Sequence, residues 1–416
     1  MKVLIVNTYD IHGGAARAVY RLHKALLEAG MNSQMLVQSK SSDDFTVLGP
    51  QTKFQKAMGK LRPTLDSIPV QRYPERTKTF FSPSWLPFAG LVDKINSLNP
   101  DVVHLNWIVG GMMRIEDLTL IKAPIVWCLN DMWAFTGGCH YDEECAGYQK
   151  QCGLCPVLGS TKKNDLSRKV YLRKQSSYSL LPTMTIVGVS KWLADCAASS
   201  SLFKNNPIVT LPNPIDTQTF APFNKLEARK LFNLQQDKKL ILFGAIGATS
   251  DPRKGYSELL QAIEHLPNEY ELVVFGSSEP QIPQGFKQKT HYLGHLNDNL
   301  SLRVLYSAAD VMVVPSLQEA FGQTATESLS CGTPVVAFGA TGLLDIVDHQ
   351  INGYLAKPFD IQDLASGIDW VLNHVKPELL ATAARSKVLR DFDSQVVAKK
   401  YVDLYKDVIL RNNSLK

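Results

Sequence analysis

No apolar run in these 416 residues approaches the roughly 20 needed to cross a bilayer. The opening MKVLIVNTYD holds too short an apolar stretch for a secretory leader, so a cytoplasmic location, or one at the inner face of a membrane, is expected. Cysteine is scarce: 7 in this length exclude a disulfide scaffold. Internal repeats and low-complexity tracts are missing, which argues against a solenoid. The full G-x-G-x-x-G fingerprint is also missing, so a dinucleotide site is not supported. A D-x-D string at Asp391 and Asp393 lies beside the C-terminal helix and reads as chance.

The rest describes an ordinary globular chain, 45% hydrophobic and 20% charged, with enough apolar mass for two cores. The net charge of +5 is unevenly spread. Residues 1–205 carry 24 Lys and Arg against 16 Asp and Glu, and the remainder 20 against 23. A basic first half suits an anionic acceptor or membrane surface, or is a solvated face. Nothing points to nucleic acid.

The most informative stretch is Glu319 to Glu327, EAFGQTATE. The apolar run Val311–Val314 precedes it, and a helical segment follows, ending near Cys331-Gly332 before Thr333-Pro334-Val335-Val336-Ala337. That is strand, loop, helix, turn, strand, and ligands of open α/β sheets bind at the carboxyl ends of strands. Gly322 places Glu319 in the loop and Glu327 on the helix. The helix N-terminus between them offers free N–H groups and partial positive charge, suited to phosphate. Two carboxylates flanking an anion cradle suit a ligand with both hydroxyls and phosphates.

This arrangement resembles the family-four retaining glycosyltransferases of the GT-B fold, including those of exopolysaccharide and colanic-acid-type assembly. The resemblance implies an α/β architecture of two Rossmann-like domains facing each other across a deep cleft. It implies that Glu319 contacts hydroxyls of the transferred sugar, with Phe321-Gly322 after it, and that Glu327 contacts the ribose. It also implies a phosphate-binding lysine at Lys254, in Asp251-Pro252-Arg253-Lys254-Gly255, where glycine lets the backbone approach a diphosphate. The family's usual arginine about six residues earlier is replaced by Gly247-Ala248, and Arg253 is the available substitute. Backbone near Leu296, in Tyr292-Leu293-Gly294-His295-Leu296, would face the nucleobase.

The first half begins with a strand over Lys2–Asn7, then Gly13-Gly14 opening a helix, a start suited to a ligand at the donor phosphate. Pro124 to Leu129 reads as a strand entering Asn130-Asp131-Met132-Trp133. The family often has a histidine where Asn130 stands, bordering the reacting sugar; asparagine hydrogen-bonds but exchanges no proton near neutral pH. Cys139, Cys145, Cys152 and Cys155 follow as C-x5-C-x6-C-x2-C, with His140 beside the first. A structural zinc clip, a redox-labile disulfide and free thiols are the three readings. Residues 53–78 hold Lys53, Lys56, Lys60, Arg62, Arg72, Arg76 and Lys78, followed by Phe80, Phe81, Trp85 and Phe88. These suit peripheral membrane docking or a helix pair with core aromatics.

The expected organisation is a first domain over 1–205, with a Cys-rich loop at 137–156, a linker over 206–222, a donor domain over 223–390, and a helix over 391–416 returning to the first domain. The implied reaction moves a sugar from a nucleotide-diphosphate sugar to a saccharide or lipid-linked saccharide acceptor in surface-polysaccharide biosynthesis. Configuration would be retained, with no cofactor or metal at the donor site. Catalytic roles would fall to Glu319, Lys254 and Asn130. Two alternatives stay open: a non-catalytic nucleotide-sugar or polysaccharide binder, and a nucleotide-sugar epimerase on the same two-domain plan.

Overall fold

A computed structural model describes residues 1–244, 247, 249–277, 287–296 and 298–414. Contacts divide the chain into two units, Met1–Leu211 with Ala398–Lys416, and Pro212–Val397. Each is built on one parallel sheet, because each alternates short apolar runs with helical segments.

The first unit has strands β1 (Lys2–Tyr9), β2 (Asn32–Ser39), β3 (Val47–Leu48), β4 (Val102–Leu105), β5 (Ile125–Leu129), β6 (Thr185–Gly188) and β7 (Ile208–Thr210), in the order β3-β2-β1-β4-β5-β6-β7. The central strands are buried on both faces, as the near-continuous apolar runs VLIV, VVHL and IVWCL require. Ile5 on β1 pairs with Met35 on one side and His104 on the other. His104 is therefore fully enclosed, with Nδ1 2.7 Å from the Tyr405 hydroxyl on the last helix, Ser394–Ser414. On β5, the Cys128 sulfur lies 3.4 Å from the Tyr401 hydroxyl of that helix.

The second unit has β8 (Leu240–Gly244), β9 (Glu271–Phe275), β10 (Thr290–Tyr292), β11 (Val311–Val314), β12 (Val335–Phe338) and β13 (Gly353–Ala356), in the order β10-β9-β8-β11-β12-β13. Its core gathers Ile241, Phe243, Leu259, Val313, Val336 and Leu364 from strands and covering helices.

In both sheets the strand order reverses once, between β1 and β4 and between β8 and β11. At such a point the loops leaving two neighbouring strands run to opposite faces, which opens a crevice at the strands' carboxyl ends. Ala245, Ile246 and Ala248 after β8, and Ser278 after β9, lie outside the described residues. The expected replacement of the family arginine at Gly247-Ala248 falls partly there.

Candidate active site

The reversal between β8 and β11 brings together two segments far apart in the chain. The loop after β8 ends in a single helical turn, Pro252–Lys254, and then the helix Tyr256–Glu264. The loop after β11 runs from Pro315 to Gly322 and enters the helix Gln323–Ser330. Gly255 locks the two together. It has φ of +72°, and a Cβ there would stand 1.8 Å from the Pro315 carbonyl oxygen. The Leu317 amide donates to the Arg253 carbonyl at 2.8 Å.

This contact delivers Lys254 to Glu319. The ammonium donates to Glu319 Oε2 at 2.6 Å, and both side chains keep some solvent access, 21% and 14%. Ser316 Oγ lies 3.5 Å from the same oxygen. The Glu319 backbone is held from the other side: its amide donates to Thr341 Oγ1 at 3.2 Å, and its carbonyl accepts from the Gly342 amide at 2.9 Å. Gly342 admits that approach because it has no Cβ, which would meet the Ala320 carbonyl oxygen at 2.5 Å.

Glu319 lies in the loop and Glu327 on the helix. Gly322, with φ of +114°, is the residue before the helix and provides no side chain to cap it. The first-turn amides are left to other acceptors, with the partial positive charge of the helix end behind them. Glu327 is 5% exposed, and its carboxylate accepts from the Tyr306 hydroxyl at 2.9 Å. Tyr306 comes from the helix Asn299–Ala308, and no local motif marks it.

The remaining donor-side candidates separate. Arg253 donates to the Asp251 carboxylate at 2.6 Å, a bond between near neighbours in the chain. The Phe321 ring is 2% exposed and packs edge-on against Phe392 at 5.6 Å, so its side chain belongs to the core. Leu296 is half-buried in the loop after β10.

Gly13, Gly14 and Asn130 belong to the first unit. Gly13 has φ of +95° and precedes the helix Gly14–Glu28, and no atom lies within 4 Å of where a Cβ would stand at either glycine. Asn130 follows β5, half-buried, with its amide 3.4 Å from Asn106 Oδ1 at the end of β4. The next residue carries the stronger network. The Asp131 carboxylate accepts from the Trp107 indole at 2.9 Å and from the Trp133 amide at 2.8 Å, and one oxygen lies 2.7 Å from His140 Nδ1. His140 Nε2 stands 2.9 Å from Ser82 Oγ. Burial pushes the Asp131 carboxyl up, but the adjoining imidazole and these donors outweigh it and hold the group below its ordinary value. The sequence signal for this network was the run Asn130-Asp131-Met132-Trp133 and nearby His140, but not their pairing.

The structure corrects the zinc expectation for Cys139, Cys145, Cys152 and Cys155. Among the described residues no group of three or more His, Cys, Asp or Glu side chains is arranged to hold a metal ion. The four thiols lie near enough to act on one another electrostatically, and different backbone contacts anchor them. Cys139 sits on a bridge to Phe81, Cys152 packs against Gly137, the Cys155 amide donates to Asp165, and Cys145 is at the surface. All seven cysteines are free, and burial pushes Cys152 up to about 12 and Cys155 to about 11.

Comparison with known proteins bears on the family and the fold. Residues 12–219 match the family model Glycosyltransferase Family 4, and residues 224–386 match Glycosyl transferases group 1. An uncharacterized glycosyltransferase of Methanocaldococcus jannaschii is 26% identical over 344 residues, covering 76% of this chain and 86% of its own length. The D-inositol 3-phosphate glycosyltransferase of Xylanimonas cellulosilytica is 36% identical over 169 residues, which is 37% of this chain and 40% of that protein. Among solved structures, sucrose-phosphate synthase from Thermosynechococcus elongatus superposes with a TM-score of 0.67 at 19% identity, covering 99% of this chain and 100% of that one. Anabaena HepE in complex with UDP-glucose superposes with a TM-score of 0.62 at 16% identity, covering 98% and 100%. Two parallel-sheet Rossmann-like units, matched along nearly their whole length by these models and folds, place the chain in the group 1 and family 4 glycosyltransferases, enzymes of the GT-B fold that transfer a sugar from a nucleotide sugar.

Proposed function

We propose that the chain transfers a sugar, with retained configuration, from a nucleoside-diphosphate sugar to a saccharide or lipid-linked saccharide acceptor in surface-polysaccharide biosynthesis. The observation that carries this reading is the Lys254–Glu319 pair at the β8/β11 crevice, beside an uncapped helix end and the buried Glu327. Charge on a departing diphosphate must be neutralised. Lys254 and the amides of the helix Gln323–Ser330 supply fixed positive charge there. The Lys254–Glu319 contact orients the ammonium before the donor arrives. Glu319 then serves the hydroxyls of the transferred sugar, and Glu327 the ribose. The leaving phosphate takes the acceptor proton, which requires no proton exchange from Asn130. HepE, a structural neighbour, was solved with UDP-glucose, and a uridine nucleotide is the first donor to test.

The test is donor turnover measured by product mass across a panel of nucleotide sugars and saccharide acceptors. The wild type should form a glycosylated product with the donor's anomeric configuration, and turnover should persist in a chelator. Lys254→Ala and Glu319→Gln should each lower kcat by about 100-fold or more, the range for removing one group that stabilises developing charge. Undiminished transfer in both variants would remove the site assignment. Donor binding without transfer to any acceptor would favour a non-catalytic binder, the reading that Asn130 motivates. Conversion of the donor without acceptor would favour the epimerase.

A further inference from the structure

The helix Lys53–Ser67 is packed inside out. Its buried residues are Gly59, Arg62 and Asp66. Gly59 lies against the Gln38 carbonyl, where a Cβ would come to 2.7 Å. Arg62 donates to the Gly111 carbonyl at 2.7 Å and the Pro87 carbonyl at 2.8 Å, while Asp66 accepts from the Ser84 and Trp85 amides at 3.3 and 3.2 Å. Backbone carbonyls and amides thus hold the helix down through its small and charged face.

The outward face is apolar and basic. Phe54 is 74% exposed, Leu61 48%, and Ile68, in the turn that continues the helix, 44%. On an ideal helix these three fall within about 40° of one another, with half-buried Met58 and Leu65 along the same stripe. Lys53, Lys56 and Lys60, all exposed, fall within about 60° on the adjoining flank. Arg72, Arg76 and Lys78 follow, also exposed, and Glu75 is the one exposed acid between residues 53 and 80. Folding ordinarily turns an amphipathic helix the other way, apolar side in. Here the apolar stripe is left for something outside the chain, beside a cluster of one charge sign.

We propose that this face seats on an anionic phospholipid bilayer. Phe54, Leu61 and Ile68 enter the boundary between headgroups and acyl chains, and Lys53, Lys56 and Lys60 meet the lipid phosphates. Charge complementarity selects this occupant. A second copy docking through the same face would bring the two lysine clusters together, and like charges in register oppose association. The contact is peripheral, since no helix among the described residues is long and apolar enough to cross a membrane.

The inference stands apart from the sugar-transfer reading, because lipid binding needs no substrate and is measured without any. The full chain is sedimented with vesicles of phosphatidylcholine alone or mixed with phosphatidylglycerol. It should co-sediment with the mixed vesicles and be released by salt. Replacing Lys53, Lys56 and Lys60 by Gln should weaken binding about 100-fold, taking each basic residue near an anionic surface as worth roughly a factor of five. Phe54→Ser with Leu61→Ser should weaken it about tenfold or more. All five positions are solvent-exposed, so the fold should tolerate the changes, and an unaltered melting temperature confirms this. The proposal is overturned if the wild type ignores mixed vesicles, or if both variants bind as it does. A wild-type dimer in sedimentation velocity that the Phe54/Leu61 variant dissociates would instead assign the face to self-association.

Discussion

Lys254, Glu319, Glu327 and Tyr306 show how the site is held residue by residue. Lys254 and Glu319 keep partial solvent access, so each can exchange its partner for ligand. Glu327 is different: it is buried on a short helix and fixed by the hydroxyl of Tyr306, itself fully buried. A hydrogen bond to a charged acceptor is worth about 1.5–3 kcal/mol net. Tyr306→Phe should therefore destabilise the second unit by about that much, observed by denaturant titration. If Glu327 serves the ribose, the same variant should raise the donor KM several-fold and change kcat less. A parallel fall in kcat would place Glu327 in the chemical step instead. Phe321 marks the limit of reading a motif as a list of ligands. It stands inside EAFGQTATE, yet its ring is buried against Phe392.

At the scale of elements, the deciding feature is the reversal of strand order between β8 and β11. It turns two strand-to-helix loops into one site, and Gly255 sets how closely they approach. Gly255→Ala would need a left-handed backbone for a residue with a Cβ and would drive that carbon into Pro315. The first effect costs about 1–2 kcal/mol and the overpacking about 1–3. The expected outcome is a loss of about 2–5 kcal/mol in the second unit together with loss of donor turnover, because the loop carrying Lys254 can no longer reach Glu319. A variant with wild-type melting temperature and turnover would show that the close approach is not needed. The helix Lys53–Ser67 shows the converse. Its basic run was legible from the residues, but neither its apolar stripe nor the face that the fold would bury was read there, because Gly59, Arg62 and Asp66 find their partners on residues 38, 84–87 and 111.

Across the whole molecule, ionisable groups buried in the first unit predict how stability follows pH. Burial lowers His104 to about 3 and His23 to about 4, so the folded chain keeps both neutral where the unfolded chain, near 6.5, takes up protons. Stability is then lost as pH falls below about 6.5, by up to about 1.4 kcal/mol per pH unit for each histidine. Lys174 is fully buried, donating to the Trp133 and Thr136 carbonyls, and burial lowers it to about 7. Its folded value lies below the unfolded one, so stability rises with pH from about 7 to about 10.5. Denaturant titrations of the first unit should show both slopes, and His104→Asn should reduce the acidic one by about half. An unchanged acidic slope would assign it to other groups. The residues alone determined the alternation of strand and helix, the presence of a nucleotide-sugar motif, and the placement of Glu319 in a loop and Glu327 on a helix. Apolar period, glycine and capping chemistry act over a few residues and are written in the chain order itself. The meeting of Lys254 with Glu319, the bond from Tyr306 to Glu327, the Asp131–His140 pair and the outward apolar face of the helix Lys53–Ser67 were decided only by tertiary structure. Each depends on which strands become neighbours and on which side a crossover passes, and short-range patterns do not encode either.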